Sequence, residues 1–417
     1  MLNIKTDSRK VVKGDTFIAL KGNTVDGHDF IDSAIKNGAE KIICEHGKYD
    51  VDTINVSDTH EYLKNYLVNN YSKEFEDLKL IGVTGTSGKT TTCFLTYQIL
   101  NKLGIKTCYI GTIGCYIDND VVELSNTTPD ILELYNLLLT SKEKGCKVIV
   151  MEVSSHSLAE ERIKGLKFDV CAFTNLSQDH LDYHKTMEEY CKCKAKIVNY
   201  LKDKGKIIVN VDDEYSKYFI CDKSLSLGIN GSNYKIKEFH MENTHTDILF
   251  NVNNDSYEVR TNLIGKFNVY NYLTSLALIN NLGISVNDII NVTDSINAPV
   301  GRAQIIKVGT SIAVIDYAHK PDAVSKIIPL FREVTKGKII TIIGCGGDRD
   351  PMKRPIMGNI ATSLSDYVIL TNDNPRTEDP EKIVNQIEEG IKKTKGNYKV
   401  VVDRTEAIKE AINMAKK

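Results

Sequence analysis

The stretch "LIGVTGTSGKTTT" from Leu80 to Thr92 sets two glycines, a lysine and a row of hydroxyls between an apolar run and a helix-forming one. Phosphate binding is the chemistry open to such a run. Backbone N–H groups between a strand end and a helix start can point into one concavity, and the helix N-terminus adds positive potential. Gly85 and Gly88 permit close backbone approach, with Thr86, Ser87 and Thr91 beside them. Lys89 would reach the β- and γ-phosphates of a nucleotide, and the Thr90 hydroxyl would ligand Mg²⁺. The spacing departs from the common G-x-x-x-x-G-K-[ST], because Val83 stands where the first glycine belongs. The plainer alternative is a strand–turn–helix with a surface lysine.

Three more stretches carry chemistry. "KVIVMEVSSHSL" ends a buried strand on Glu152. A carboxylate there needs a partner, because burying an unpaired charge is expensive; Mg²⁺ near a triphosphate would supply one, and so would a nearby lysine. "FTNLSQDHLDYH" places His180 after the next strand, where a lone histidine is commonly structural. "EEYCKCKAKIV" offers Lys192, Lys194 and Lys196 on one helix, and most such lysines are solvated.

The elements that must position these residues read as three blocks. Residues 1–78 hold short strands and turns and then a polar helix. Residues 79–300 alternate apolar strands ("KLIGVTG", "KTCYIG", "KVIVMEV", "DVCAFTN", "GKIIVNV") with amphipathic helices, which predicts a parallel sheet covered on both faces. Within this block, 231–262 reads as a small antiparallel insertion. A second alternation, "IAVIDYA", "KIITIIGCGG", "DYVILTNDNP" and "KVVVDR", predicts an α/β domain over 301–417. Net charge is −2 with no basic block, so nucleic acid is not an expected partner. No apolar run approaches the roughly 18 residues of a membrane span, and the N-terminus lacks a signal peptide's apolar stretch. Ten scattered cysteines without C-x-x-C pairs fit reduced thiols in the cytoplasm.

"TGTSGKTTT" resembles the ATP loop of the Mur ligases, the ATP-dependent amide-forming enzymes of peptidoglycan precursor synthesis. Further stretches resemble the MurE type in order along nearly the whole chain: "TDSRKVVKGDTFIALKGNTVDGHDFIDSAIKNGA", "NTTPD", "MEVSSHSL", "FTNLSQDHLDYH", "GKFNVYN", "DYAHKPD", "GCGGDRDPMKRP" and "DNPRTEDP". The resemblance implies a three-domain α/β architecture: an N-terminal UDP-substrate domain, a central parallel-sheet P-loop ATPase domain and a C-terminal Rossmann-like domain. It implies transfer of an amino acid, meso-diaminopimelate or L-lysine, onto UDP-N-acetylmuramoyl-L-alanyl-D-glutamate through an acyl phosphate. The dipeptide carboxylate and ATP are both anions, so Mg²⁺ and Lys89 would offset their repulsion.

By the same resemblance, Lys89, Glu152, His180 and Lys194 are catalytic, and Thr90, Glu152, His180 and Lys194 hold metal. Lys194 is the lysine of the Y-x-x-x-K-x-K pattern that takes up CO₂ as a carbamate (N6-carboxylysine), a step that requires a neutral amine. Asn268, Asn271, Arg302, Asp316 and His319 match ATP contacts. Ser8 with Arg9, the run 23–30, Thr127, Thr128, Ser154 and Arg162 match the UDP-substrate side, and Glu160 stands where the family often has glutamine. Asp373, Asn374 and Arg376 in "DNPR", with Arg349 in "GGDRD", resemble the diaminopimelate-type acceptor site, where a guanidinium forks onto a carboxylate.

The family continues into a G-K-G-H-E segment that this sequence, ending at Lys417, does not reach. The acceptor domain is therefore expected to be shortened, either in a piece of a longer chain or in a naturally short one. Two further hypotheses stand beside the first: a related ligase acting on another amine in specialised metabolism, and a nucleotide-binding partner protein without catalysis. A monomer that does not insert into membranes is expected.

Overall fold

The computed structural model describes residues 2–415 apart from Asn23 and Lys395. The chain divides into two compact units, Met1–Lys235 with Asn271–Val292, and Ile236–Tyr270 with Thr293–Lys417.

The first unit opens with four short parallel strands, β1 (Ile4–Lys5), β2 (Thr16–Ile18), β3 (Lys41–Cys44) and β4 (Asp52–Asn55), joined in sequence order with helices α1 (Ile31–Lys36) and α2 (Thr59–Tyr71). Alternation along β2 and β3 sends Phe17, Ile42 and Cys44 into one cluster with Ile31 and Ala34. It sends Ile18 and Ile43 into a second with Leu63 and Leu67 of α2. That second cluster runs on into Leu80, Ile149 and Phe173, so one face of the small sheet shares a core with the chain that follows.

The larger sheet holds β5 (Lys79–Thr84), β6 (Thr107–Gly111), β7 (Gly114–Ile117), β8 (Asp120–Val122), β9 (Val148–Glu152), β10 (Phe168–Phe173), β11 (Leu201–Asn210) and β12 (Ser224–Gly228). Their order is β12-β11-β10-β5-β9-β6-β7-β8. The run from β12 to β6 is parallel, and β7 and β8 fold back antiparallel. Leu80, Ile81 and Val83 of β5 are fully buried, each contributing about 1.5–3 kcal/mol. Helices α3 (Lys89–Lys102), α4 (Ile131–Glu143), α5 (Ser155–Ala159), α6 (Leu181–His184) and α7 (Met187–Ala195) lie between these strands in sequence. Because β5 is flanked by β10 and β9, the loops leaving all three emerge at one sheet edge, where open α/β sheets gather ligands.

The stretch 231–262, expected to be a small antiparallel insertion, begins with a parallel pairing. β13 (Tyr234–Met241) pairs in parallel with β12 at Leu227↔Tyr234 and Gly228↔Lys235, extending the sheet. β13, β14 (Thr246–Val252) and β15 (Asp255–Thr261) follow one another as neighbours in the sheet, and β14 and β15 form an antiparallel hairpin turning at Asn253 in the left-handed region. The unit boundary falls inside β13 and inside α8 (Lys266–Asn280); α9 (Val286–Asn291) completes the first unit.

In the second unit, "IAVIDYA" does not join the parallel sheet. It forms β17 (Ser311–Ile315) and pairs antiparallel with β16 (Gln304–Val308). After α10 (Pro321–Val334) come β18 (Ile340–Ile343), α11 (Lys353–Leu364), β19 (Tyr367–Leu370), α12 (Pro380–Ile391), β20 (Tyr398–Val400) and α13 (Arg404–Ala415), with β18-β19-β20 parallel. Helices α11 and α12 cross at glycines: a Cβ on Gly390 would lie 1.8 Å from the Pro355 carbonyl, and one on Gly358 2.3 Å from that of Ile387. Among the described residues no helix is long and apolar enough to cross a membrane.

Candidate active site

The loop after β5 needs both its glycines. Gly85 has φ +144°, and a Cβ there would lie 2.0 Å from Thr174 Oγ1; Gly88 has φ +85°, with Asn271 Oδ1 2.4 Å from the Cβ position. The segment after β10 clamps the loop. Thr86 N–H donates to the Asn175 carbonyl at 2.8 Å and Ser87 N–H to Asn175 Oδ1 at 3.0 Å. Thr174 Oγ1 donates to the Ser87 carbonyl at 2.7 Å. Two of the N–H groups expected to face a phosphate are thus engaged by Asn175. Lys89 folds back, donating to the Gly85 and Thr86 carbonyls, both at 2.9 Å. Thr90 and Thr91 are buried in the first turn of α3, and Asn271 lies against the same helix, 3.4 Å from Thr92 Oγ1.

Glu152, at the end of β9, is fully buried. Its carboxylate accepts from Tyr109 Oη at 2.6 Å, Thr112 N–H at 2.9 Å, and Thr112 Oγ1 and Thr90 Oγ1 at 3.1 Å. Hydroxyls and an amide surround it, so hydrogen bonds rather than a lysine offset its desolvation. Burial, then the neighbouring Glu152, pushes the Tyr109 phenol well above its usual range, so it stays a donor. Tyr109→Phe should cost about 1.5–3 kcal/mol, the scale of a hydrogen bond to a charged group. Urea unfolding checks it, and an unchanged midpoint would show that Glu152 does not depend on the phenol.

Lys194 is 1 % exposed. Its Nζ donates to the Gly85 carbonyl at 2.8 Å and lies 4.7 Å from the centre of the Tyr190 ring. Lys89 Nζ uses the same Gly85 oxygen. Burial, reinforced by the Lys89 charge, holds the Lys194 amine well below the usual lysine range. Lys192 instead pairs with Glu188 at 2.6 Å on the exposed face, and Lys196 is exposed. His180 caps α6 in the left-handed region, φ +52°. It is half exposed, 3.5 Å from Asp179, with its ring 5.0 Å from His156 and 6.2 Å from Tyr190. Tyr190 thus carries Lys194 and His180 on one aromatic ring.

Thr127, Thr128, Ser154, Glu160 and Arg162 form one connected network next to Glu152, apart from Ser8, Arg9 and the run 23–30. Thr127 Oγ1 meets Thr112 Oγ1 at 3.1 Å. Thr128 Oγ1 donates to the Glu152 carbonyl at 2.8 Å and accepts from Ser154 N–H at 3.0 Å. Arg162 donates to the Thr128 carbonyl at 2.8 Å and pairs with Glu160 at 2.7 Å, so Glu160 has a counter-charge beside it. Ser8 is buried in a short turn after β1, and Arg9 pairs with Asp7 at the surface. Of the run 23–30, Asn23 lies outside the described residues. His28 accepts from Glu45 N–H at 2.9 Å through Nε2, so Nδ1 carries the proton that reaches Asp26 at 2.6 Å.

In the second unit, Asp316 accepts from Ala303 and Ala318 N–H at 2.8 and 2.9 Å, tying Arg302 to the "DYAH" turn. The Arg302 guanidinium lies 4.9 Å over the Tyr317 ring, which is 5.0 Å from that of His319. Asn268 is buried, its amide donating to the Ile264 carbonyl at 2.8 Å. Arg349, Asp373, Asn374 and Arg376 are exposed on the loops after β18 and β19. Arg376, at φ +49°, donates to the Gly347 carbonyl.

A model of the Mur ligase middle domain matches residues 83–279, one of the Mur ligase glutamate ligase domain 301–417, and one of the Mur ligase family catalytic domain 2–73. The chain belongs to the Mur ligase family. It is 40% identical, over 100% of its own length and 87% of the relative's, to a protein of Clostridium acetobutylicum named UDP-N-acetylmuramoyl-L-alanyl-D-glutamate--2,6-diaminopimelate ligase 1. A Fusobacterium nucleatum protein named as the same kind of ligase is 42% identical, with 99% and 86% covered. A solved structure of such a ligase superposes with TM-score 0.74 at 30% identity, covering 98% of this chain and 86% of that one. The expected Mur ligase architecture is thereby established, and so is the enzyme class: this Mur ligase is an ATP-dependent, amide-forming ligase.

Sequence reasoning missed several residues of this Mur ligase site. Tyr109 and Thr112 grip Glu152 from a neighbouring strand, and nothing local in "KTCYIGTIG" marks them. Thr174 and Asn175 follow β10 directly, a position that could have flagged them. In the second unit, the buried Arg354 pairs with the partly exposed Glu378 through bonds of 2.8 Å.

Proposed function

We propose that this Mur ligase joins 2,6-diaminopimelate to UDP-N-acetylmuramoyl-L-alanyl-D-glutamate in peptidoglycan precursor synthesis. The observation that carries the reading is Lys194: a buried amine held toward neutrality on the carbonyl of the phosphate loop, the state that uptake of CO₂ requires. The relatives named for this reaction and the exposed Arg349 and Arg376 support diaminopimelate as the acceptor.

Among the described residues no three His, Cys, Asp or Glu side chains form a ready metal cluster. The donor set nonetheless suits Mg²⁺: the Thr90 hydroxyl and Glu152 carboxylate are hard oxygen donors 3.1 Å apart. A carbamate on Lys194 and the His180 imidazole would complete it. Bound there, Mg²⁺ would supply neutralising charge to the transferring phosphoryl group. Lys89 would leave the loop carbonyls for the phosphates. The substrate carboxylate oxygen then bonds to the γ-phosphorus of ATP and the bond to ADP breaks, giving an acyl phosphate. The acceptor nitrogen attacks the acyl carbon, phosphate departs with the carbon–oxygen electron pair, and the nitrogen loses a proton. Thr127, Thr128, Ser154 and Arg162 would orient the peptide, with Ser8 on the UDP side. Asn268, Asn271, Arg302, Asp316 and His319 would contact ATP. In this reading residues 1–78, 79–300 and 301–417 serve UDP-substrate, ATP and acceptor. The enzyme acts as a cytoplasmic monomer, a setting that keeps its ten free cysteines reduced.

The test supplies ATP, Mg²⁺ and the UDP-linked dipeptide, screens amines for phosphate release and identifies products by mass. Release with diaminopimelate and a product heavier by that residue is expected. Turnover only with other amines would refute the acceptor assignment, and none with any amine would refute ligation.

A further inference from the structure

We propose that Arg354 is a positioning residue that sets the spacing of the two acceptor loops and thereby the preference for an acceptor with a distal carboxylate. The inference rests on the proposed acceptor role of Arg349 and Arg376. Arg354 lies in the first turn of α11 and is 1 % exposed, the largest side chain so completely buried. Its guanidinium reaches three segments. Nη1 donates to Glu378 Oε2 at 2.8 Å and to Gln386 Oε1, on α12, at 2.6 Å. Nη2 donates to Glu378 Oε1 at 2.8 Å and to the Gly346 carbonyl at 3.2 Å.

Glu378 extends the link: its Oε1 also accepts from Asp348 N–H at 2.5 Å. The two loops are stitched together around this pair. Gly347 N–H donates to the Asn374 carbonyl at 2.8 Å, and Thr377 Oγ1 meets Asp348 Oδ1 at 2.6 Å. The fit is close, since a Cβ on Gly347 would lie 1.9 Å from the Pro375 carbonyl. Arg349 follows Asp348 and Arg376 precedes Thr377, so the exposed arginines flank the stitched residues. A bidentate fork fixes both distance and plane, which a single ammonium cannot do. Hydrogen bonds from the Arg354 guanidinium and the neighbouring Asp348 amide also hold the Glu378 carboxyl down at about 2, so the pair stays ionised under working conditions.

Steady-state kinetics on the full chain, with ATP, Mg²⁺, the UDP-linked dipeptide and diaminopimelate or lysine, test this. Arg354→Met should raise KM for diaminopimelate by about tenfold or more, the scale of a small loop misplacement. KM for ATP and for the dipeptide should stay unchanged, and the preference for diaminopimelate over lysine should narrow. Arg354→Lys, which restores charge without the fork, should recover only part of the loss. A uniform rise in all three KM values, or a fall in kcat with acceptor KM unchanged, would overturn the proposal. If thermal unfolding shows that Arg354→Met is not folded, Glu378→Gln, which keeps the shape and removes the charge, decides by the same split. A wild-type enzyme inactive with diaminopimelate overturns the acceptor reading and this inference together. Wild-type turnover with unsplit KM values overturns the inference alone.

Discussion

Lys194→Met is expected to lower the rate of phosphate release by about 10²–10³-fold, the scale of losing one preorganised electrostatic group at a phosphoryl-transfer site. The side chain keeps its bulk, so packing against Tyr190 survives while the amine on the Gly85 carbonyl is lost. The same loss should follow in wild type when CO₂ is stripped from the buffer, with bicarbonate restoring activity; the methionine variant should not respond. Activity in CO₂-free buffer equal to that with bicarbonate would exclude a carbamate. Stability gives an independent reading. The folded amine titrates well below its ordinary 10.5, so between those values the unfolded chain holds a proton that the folded chain lacks. The contribution of this group therefore makes stability rise with pH through that window. Lys194→Met should flatten the rise of the urea midpoint with pH on the acid side of 10.5 in CO₂-free buffer.

Lys89→Met is expected to lower kcat by about 10²–10³-fold, because in the proposed mechanism Lys89 leaves the loop carbonyls for the transferring phosphoryl group, where a cation acts mainly in the transition state. A rise in KM for ATP with kcat unchanged would mean that Lys89 contributes only uniform binding. The variant has a second consequence, on Lys194. Lys89 and Lys194 both donate to the Gly85 carbonyl, and the Lys89 charge helps depress the Lys194 amine. Removing it should let Lys194 hold its proton to higher pH. The bicarbonate needed for half-maximal activity should then increase at fixed pH. An unchanged requirement would show that burial alone sets the state of Lys194.

How much of this was legible beforehand depends on the distance over which each feature is determined. β5, β9 and β10 and the helix after Gly88 were readable, because short apolar runs bounded by turn residues leave a parallel strand few alternatives. Lys89 and Thr90 stand out by the glycine-rich loop pattern and Glu152 by ending a buried strand, whereas His180 rests on the family resemblance. Pairing was less legible. "IAVIDYA" has the composition of a central strand, yet it folds against 304–308, and β13 extends the main sheet at two residue pairs. Registers of that kind follow from which edge is free to pair, which no local pattern records.

What the sequence by itself determined is the order of the parts: a glycine-rich loop and a strand-end carboxylate, readable within a dozen or so residues because their spacing is local, and a lysine-bearing helix and two arginine loops, marked by the family resemblance. Only the tertiary structure decided which groups meet. It placed Tyr109 and Thr112 on Glu152, put Lys89 and Lys194 on one carbonyl oxygen, set Arg162 on the Thr128 carbonyl and buried Arg354 against the loops after β18 and β19. Burial and short-range electrostatics act through space, and they reset proton affinities and hydrogen-bond partners only after the chain has brought distant residues together.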